Sequence, residues 1–591
     1  MAAIGPILRD FFSAGLNDSG NMLSGFLLPY AIWALRLILP PLALIVVWRC
    51  GRSLLRGNAA PEVWAWLGLG DGVRVAVNHW ENIVGRSGSA DIVLPLPQIS
   101  RSHAALIRDE YGGWRLYDIA HKGNLLVNGQ VIDDCCELAE GDVISVAGSE
   151  LALAEITPEE EAEQRAGRPV PGREIRPSRT LLWLTLLQLA LAGELMLALP
   201  QYALAVGMSF AWLMLLMWFF WLFSRSLRRT GFEIETLGFF LCSLGMAVVA
   251  SGAPEELFRQ CLSVTLGLGG FFLLGFLLRD MRRVKALRWP AAGAALLALA
   301  YVLLFGEETF GARNWITLGG FSLQPSELVK VLFLFAGGAT LDRLFARRNL
   351  YAFIALSAAI VGALALMNDF GTALIFFTAY LIIAYLRSGD LATVSLSIAG
   401  AALGVIMAIA AKPHIAERFA TWGHAWEYAA SGGFQQTRAM TVVASGGLFG
   451  LGGGQGWLKQ VAAADTDLVF AFVCEEWGLI IALAALLALI ILALFAVRAA
   501  STARSSYYVI AACATAGMLL IQTMLNVGGS LDLLPLTGVT FPFVSNGGSS
   551  MVASWCMLAF LKAADTRQNA SFAIRLPRRL SRRIKEAMAD E

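Results

Sequence analysis

The stretch Pro542–Ser550, PFVSNGGSS, sets four polar residues and two glycines between long apolar segments. Lipid cannot hydrogen-bond exposed backbone, so a segment of this kind must line a cavity or pack against protein. That requirement points to a polytopic membrane helical bundle built around a polar interior. Three further stretches interrupt the apolar runs upstream: GARNWITLGGFSLQPSELVK (Gly311–Lys330), NDFGTA (Asn368–Ala373) and SGGLFGLGGGQG (Ser445–Gly456).

The bulk numbers agree. With 591 residues, 57% of them hydrophobic, and a mean hydropathy of +0.63, the chain is an integral membrane protein too long for one domain. The net charge of +1 gives no reason to expect a nucleic-acid partner. Charge is instead sorted by position: Arg225, Arg228 and Arg229, then Arg279–Arg288, Arg347 and Arg348, Arg387, Arg498 and Arg504, and finally Arg575–Lys585. Each group flanks an apolar segment while alternate loops lack such groups, so these loops are expected on the cytoplasmic side. The basic tail also suits anionic lipid. Eight cysteines and five histidines show no spacing that suggests a disulfide framework or a metal site. Met1–Asn21 has no basic region leading directly into an apolar core, so no cleavable signal is expected.

Met22–Trp48 is long enough to span but holds Pro29, Arg36, Pro40 and Pro41. An arginine near a span centre costs about 2.5–3.5 kcal/mol on insertion scales. Arg49, Arg52 and Arg56 would hold its C-terminal end in the cytoplasm. From Pro61 to Ile156 the pattern changes to short alternating strands such as VRVAV (73–77), ALI (105–107), WRLYD (114–118), NLLVNG (124–129) and VISVAG (143–148). These predict a small all-β sandwich. A charged linker, 157–179, follows. Twelve more apolar segments are expected at 180–199, 203–223, 233–252, 259–278, 289–306, 328–346, 352–367, 371–386, 392–411, 468–497, 507–530 and 548–562. The fold class is therefore mainly α, with about 12–13 spans and a β-sandwich inserted near the N-terminus. Alternation places the sandwich and the C-terminus in the cytoplasm.

Within the sandwich, Gly85-Arg86, then Ser100-Arg101-Ser102-His103, then Asn128-Gly129 resemble a forkhead-associated (FHA) domain. The resemblance implies phosphothreonine binding, with Arg86 and Ser100 on the phosphate and Arg101 in support. Asn124 and Asn128 would hold the peptide, and His103 would brace the loop. Arginine offers a rigid fork of donors suited to phosphate. Where the family usually has Asn-Gly, this chain reads Gly123-Asn124. A docking module indifferent to phosphate is the other reading.

Taken together, the four interrupted stretches resemble the FtsW/RodA/SpoVE family of bacterial cell-wall polymerases, from about Gly231 to Leu561. The domain division is then a span at 22–48, the FHA module at 61–156, the linker at 157–179, two extra spans at 180–230, the polymerase core at 231–565 and a basic tail at 566–591. The resemblance implies an inverting peptidoglycan glycosyltransferase of the bacterial inner membrane. It would polymerise lipid II, a disaccharide-pentapeptide on undecaprenyl pyrophosphate, at the outer face. A class B penicillin-binding protein transpeptidase would be its partner. No organic cofactor is implied; a divalent cation is compatible with the chemistry. A lipid II flippase and an inactive scaffold are the rival readings.

Such chemistry needs cations for the pyrophosphate, a base for the acceptor hydroxyl and a groove for polyprenyl chains. The family usually reads Pro-Glu-any-His-Thr-Asp at the position of Ala462–Asp467, so its essential aspartate maps to Asp467. Ala463 stands at the glutamate position and Asp465 at the histidine position. Two carboxylates so close in sequence can raise each other's pKa, and a base poised near neutrality favours proton abstraction. The plain alternative is an aspartate stabilised by a helix N-terminus. Arg313, Glu327 and Lys330 are candidates for substrate binding; Glu327 and Lys330 share a helix face, so a private ion pair is equally open. Asn314 stands where the family has arginine, with Arg313 one position earlier. Asp369 is expected to hold a break between spans and shape the cavity. Gln435, Gln436 and the Ser445–Gly456 run are expected to shape the acceptor channel. In the last stretch Ser545, Gly547, Gly548, Ser549 and Ser550 are substrate-binding candidates, and Asn546 replaces the usual tyrosine.

Overall fold

The computed structural model describes residues 21–571 apart from 57–60, 70–71, 89, 110–111, 168–170, 172–174, 310–311, 319–320, 340–346, 389–390 and 412. Residues 1–20 and the basic run Arg575–Lys585 lie outside the described residues.

Strands β1 (Ala65–Leu69), β2 (Arg74–Val77), β3 (Glu81–Gly85), β4 (Ile92–Val93), β5 (Ala104–Arg108) and β6 (Trp114–Asp118) open the sandwich. Strands β7 (Leu125–Val127), β8 (Gln130–Val131), β9 (Cys135–Leu138), β10 (Val143–Val146) and β11 (Ser149–Glu155) complete it. One sheet runs β2-β1-β11-β10-β7-β8 and the other β4-β3-β5-β6-β9. Alternation sets the buried face: in β6, Trp114 and Leu116 turn inward while Arg115 is exposed. Leu116 sits opposite Leu106 of β5, and both join Leu67 and Leu153 of the facing sheet in one apolar core.

Among the described residues ten helices are long and apolar enough to cross a membrane, the first of them within Asn21–Leu55. The protein is a multi-pass membrane protein. Every one of the twelve expected apolar segments carries a helix. Glu233–Gly252 stands at the centre, its span buried throughout. Around it pack Asn21–Leu55, Pro177–Ala198, Leu257–Leu277 and Gly548–Ala563. Arg36, costly in lipid, lies beside Glu194 of Pro177–Ala198.

At one end of the bundle, buried charges tie three segments together. Arg567 bonds Glu233 at 3.1 Å and Asp565 at 2.8 Å, and Lys562 bonds Glu235 at 3.0 Å. Ser53 donates to Glu233 at 2.6 Å, which brings in the first helix.

Three local features differ from expectation. The segment 468–497 is two helices, Val469–Trp477 and Leu479–Ala500, because Gly478 has φ +87° and lies flush against the Leu448 carbonyl. Only glycine adopts that backbone there without strain. A three-stranded meander, β12 (Glu307–Thr309), β13 (Ala312–Leu318) and β14 (Phe321–Leu323), occupies the approach to helix Pro325–Ala339. Finally, helix Gly548–Ala563 has 16 residues, short of the roughly 20 needed to cross a bilayer alone.

Candidate functional site

Helices Pro325–Ala339 and Gly548–Ala563 begin at a cavity of about 630 Å³ lined by the core. Five helices start on its wall: Pro325–Ala339 after Gln324, Phe370–Ser388 after Asp369, Phe434–Gly446 after Gly432 and Gly433, Val469–Trp477 after Asp467, and Gly548–Ala563 after Gly547. Each start leaves backbone N–H groups without helical partners and places a positive dipole end near the cavity.

Asp467 lies on this wall. Its peptide is fixed from two sides. The Asp467 N–H donates to Ala463 O at 2.8 Å, a turn made with Ala463 at φ +58°. Asn526 Nδ2 donates to the Asp467 carbonyl at 3.0 Å and to Val539 O at 2.8 Å. Burial pushes the Asp467 carboxyl up to about 6; Asp465 and Asp369 add to the rise, whereas Thr466 and Arg418 oppose it. Desolvation therefore outweighs the neighbouring-carboxylate effect expected from sequence.

Asp369 also faces the cavity and accepts from Asn314 Nδ2 at 3.1 Å. Its other oxygen accepts from Thr372 N at 3.1 Å, capping helix Phe370–Ser388, while Asn368 turns the chain at φ +61°. Gln435, Gln436, Gly547, Ser549 and Ser550 complete the expected residues on the wall. Gln435 Nε2 donates to Ala462 O at 2.9 Å, linking the start of helix Phe434–Gly446 to the Asp467 turn.

Other expected residues are elsewhere. Lys330 is wholly buried and bonds Glu327 at 2.8 Å and Gln522 at 3.0 Å, so of its two readings the buried pair is the one formed. Gln522 in turn donates to Thr540, which does line the cavity, leaving Glu327 and Lys330 one layer behind it. Arg313 is on β13, its backbone N–H bonded to Met367 O. Ser545 sits behind the wall, donating to Thr466 O at 2.6 Å. Gly548 packs against Ser263. The Ser445–Gly456 run is away from the wall: Gly453 N donates to Glu194, and Gly454 N and Gly456 N to Glu476. Its glycines fit around helix Val469–Trp477, since Gly450 lies flush against the Glu476 carbonyl.

Sequence reasoning missed Arg418, the single Lys or Arg among the lining residues. It comes from the short helix Pro413–Thr421, and no local pattern marks it. Among the described residues no group of three or more His, Cys, Asp or Glu is placed to hold a metal ion.

On the sandwich, Arg86 N donates to Ser100 O at 2.9 Å and Ser87 N to Arg101 O at 3.1 Å, so the two motif loops are joined by backbone. Gly85 lies flush against the Arg101 carbonyl, where a side chain would not fit. Arg86 and Arg101 are exposed. His103 is buried, its Nδ1 accepts from Ser100 N at 3.2 Å, and burial lowers its pKa. Asn124 adjoins His103. Asn128, at φ +50°, is occupied within its own turn: it donates to Asp142 and accepts from Val143 N.

Residues 225–570 match the FtsW/RodA/SpoVE family, described as "Cell cycle protein", and residues 82–147 match the FHA domain. Over 325 residues the chain is 32% identical to the peptidoglycan glycosyltransferase RodA of Mycobacterium tuberculosis, covering 51% of this chain and 69% of that one. It is 27% identical to the probable peptidoglycan glycosyltransferase FtsW of Bacillus subtilis, covering 53% and 84%. The solved structure of Thermus thermophilus RodA is 29% identical, with a TM-score of 0.43 over 56% of this chain and 94% of that one. With more than half its length matched, this chain belongs to the FtsW/RodA/SpoVE family.

Proposed function

We infer that the chain is a peptidoglycan glycosyltransferase that polymerises lipid II and carries a regulatory FHA module. The observation that supports this best is the joint presence, in one cavity, of a carboxyl pushed up to about 6, an arginine and the N-terminal ends of five helices. Asp467 is the proposed base. It takes the proton of the acceptor hydroxyl as that oxygen bonds to the donor's anomeric carbon. The bond from that carbon to the pyrophosphate breaks on the opposite side, so the centre inverts. Arg418 and the helix N-termini offset the charge that develops on the pyrophosphate. Asn526 and the Ala463 turn hold Asp467 in place; Asp369 and Asn314 shape the wall.

The sandwich is placed in the cytoplasm because Arg-rich loops recur on that side. There Arg86, Ser100 and Arg101 form the proposed phosphothreonine face, with Asn124 beside them. A cysteine at Gly129 should then resist an impermeant reagent in intact cells. A class B penicillin-binding protein is the proposed partner for cross-linking.

The test is polymer formation from lipid II by the purified chain, with Arg418→Ala alongside. Polymer from the wild type and a loss of about tenfold or more in the variant support the reading. No polymer from the wild type, with or without a co-expressed transpeptidase, sinks it and leaves a flippase or an inactive scaffold.

A further inference from the structure

The sandwich is seated on the core through the end of β3 remote from its phosphopeptide loops. Trp80 N donates to Arg504 O at 2.7 Å, and His79 Nδ1 lies 3.0 Å from Ala503 O. Arg504 Nε bonds Glu62 at 2.8 Å, and its guanidinium lies 5.3 Å from the centre of the Trp64 ring. At the middle of this seat is Glu81. One of its oxygens accepts from Ser505 Oγ and the other from Ser506 N, both at 2.9 Å. Ser505 is the N-cap of helix Ser506–Ser530 and accepts from Tyr507 N. A carboxylate from the module thus completes the N-terminal cap of a core helix.

That helix leads to the site. Gln522 joins Lys330 to Thr540 on the cavity wall. Asn526, about 30 Å from Ser506 at ~1.5 Å per residue, holds the Asp467 carbonyl. Arg86, at the other end of β3, is about 17 Å from Glu81 at ~3.4 Å per residue, so the seat leaves the phosphopeptide face open.

We propose that Glu81 is a positioning residue for glycan extension: by capping helix Ser506–Ser530 it fixes the axial placement of that helix and, through Asn526, of the Asp467 peptide. The proposal rests on the polymerase reading above. Burial of Glu81 raises its pKa, in keeping with a carboxyl taken out of water by the seat.

The experiment measures steady-state lipid II polymerisation by the full chain in proteoliposomes. Glu81→Ala is expected to lower kcat at least about fivefold while KM stays within about twofold, because misplacement of a catalytic group by a fraction of an ångström acts on the chemical step. Glu81→Gln, which keeps an accepting oxygen, should recover part of that loss. Glu62→Arg and Arg504→Glu should each lower kcat, and the double exchange should restore it to within about twofold. Wild-type kcat in Glu81→Ala, or no restoration in the double exchange, overturns the proposal while leaving the polymerase reading intact. Absence of polymer from the wild type overturns both.

Discussion

Asn546 Nδ2 donates a 2.8 Å hydrogen bond to Asp465 Oδ2, and the Asn546 N–H donates to the Asp465 carbonyl at 2.9 Å. These are two positions at which the chain departs from the usual family residues, histidine and tyrosine. The departures meet in space and are bonded to each other by side chain and backbone. Asn314 is a single departure: its amide reaches Asp369 from the position usually held by arginine.

Pairing of this kind is measurable. Asp465→Ala and Asn546→Ala each remove the same side-chain bond, so their effects on polymerisation should not add. A double-mutant cycle is expected to give a coupling of about 1 kcal/mol. Strict additivity would show that the two side chains act independently.

Lys330 gives a second prediction. It and Glu327 form a buried pair completed by Gln522. Lys330→Met strands a buried carboxylate and should destabilise the detergent-solubilised protein by roughly 3–5 kcal/mol. Adding Glu327→Gln should recover much of that loss. If Lys330→Met unfolds like the wild type in thermal or denaturant melts yet binds lipid II poorly, the lysine acts on substrate and the pairing is incidental.

The sandwich and the run of membrane helices were legible because both obey simple periodicities. WRLYD alternates and becomes β6; each long apolar run becomes a helix. The break at Gly478, beside Glu475 and Glu476 in an otherwise apolar run, was passed over, since its cause is the approach of the Leu448 carbonyl from another segment. The β12–β14 meander was hidden too, its strands being short and set between apolar segments. Motif spacing pointed to Asp467, Asp369 and the residues around Gly547. It left Lys330 open between an ion pair with Glu327 and a substrate contact, its further partner Gln522 being remote in sequence, and it passed over Arg418, brought to the cavity only by tertiary folding.

The FHA face predicts charge-assisted phosphate recognition. Loss of one such contact removes roughly 1.5–3 kcal/mol, so Arg86→Ala should weaken binding of a phosphothreonine peptide at least about tenfold in calorimetry or fluorescence titration. Asn128→Ala should act mainly on the stability of its turn, because its amide is bonded to Asp142 and Val143. Equal affinity for the phosphorylated and unphosphorylated peptide would leave only a docking module.

The central claim is that Asp467 is the base, and its burial sets the pH dependence. With its carboxyl pushed up to about 6, the ionised form needed for proton abstraction is lost below that pH. Polymerisation should therefore rise toward a plateau above it and fall roughly tenfold per pH unit on the acid side. The stability effect has the opposite sign: a raised carboxyl pKa contributes stability that is complete below the ordinary value of 3.8 and is lost as pH rises through about 6. Asp467→Asn removes that loss, so at neutral pH the variant should be at least as stable as the wild type.

The most direct measurement is lipid II polymerisation by purified Asp467→Asn beside the wild type, at matched protein content and across pH. A folded, membrane-inserted variant with activity lower by about 10²–10⁴-fold, and without the acid limb in whatever activity remains, is the predicted result. Polymerisation at a near wild-type rate, or retention of the same acid limb, would contradict the assignment and move the base to another carboxyl on the wall.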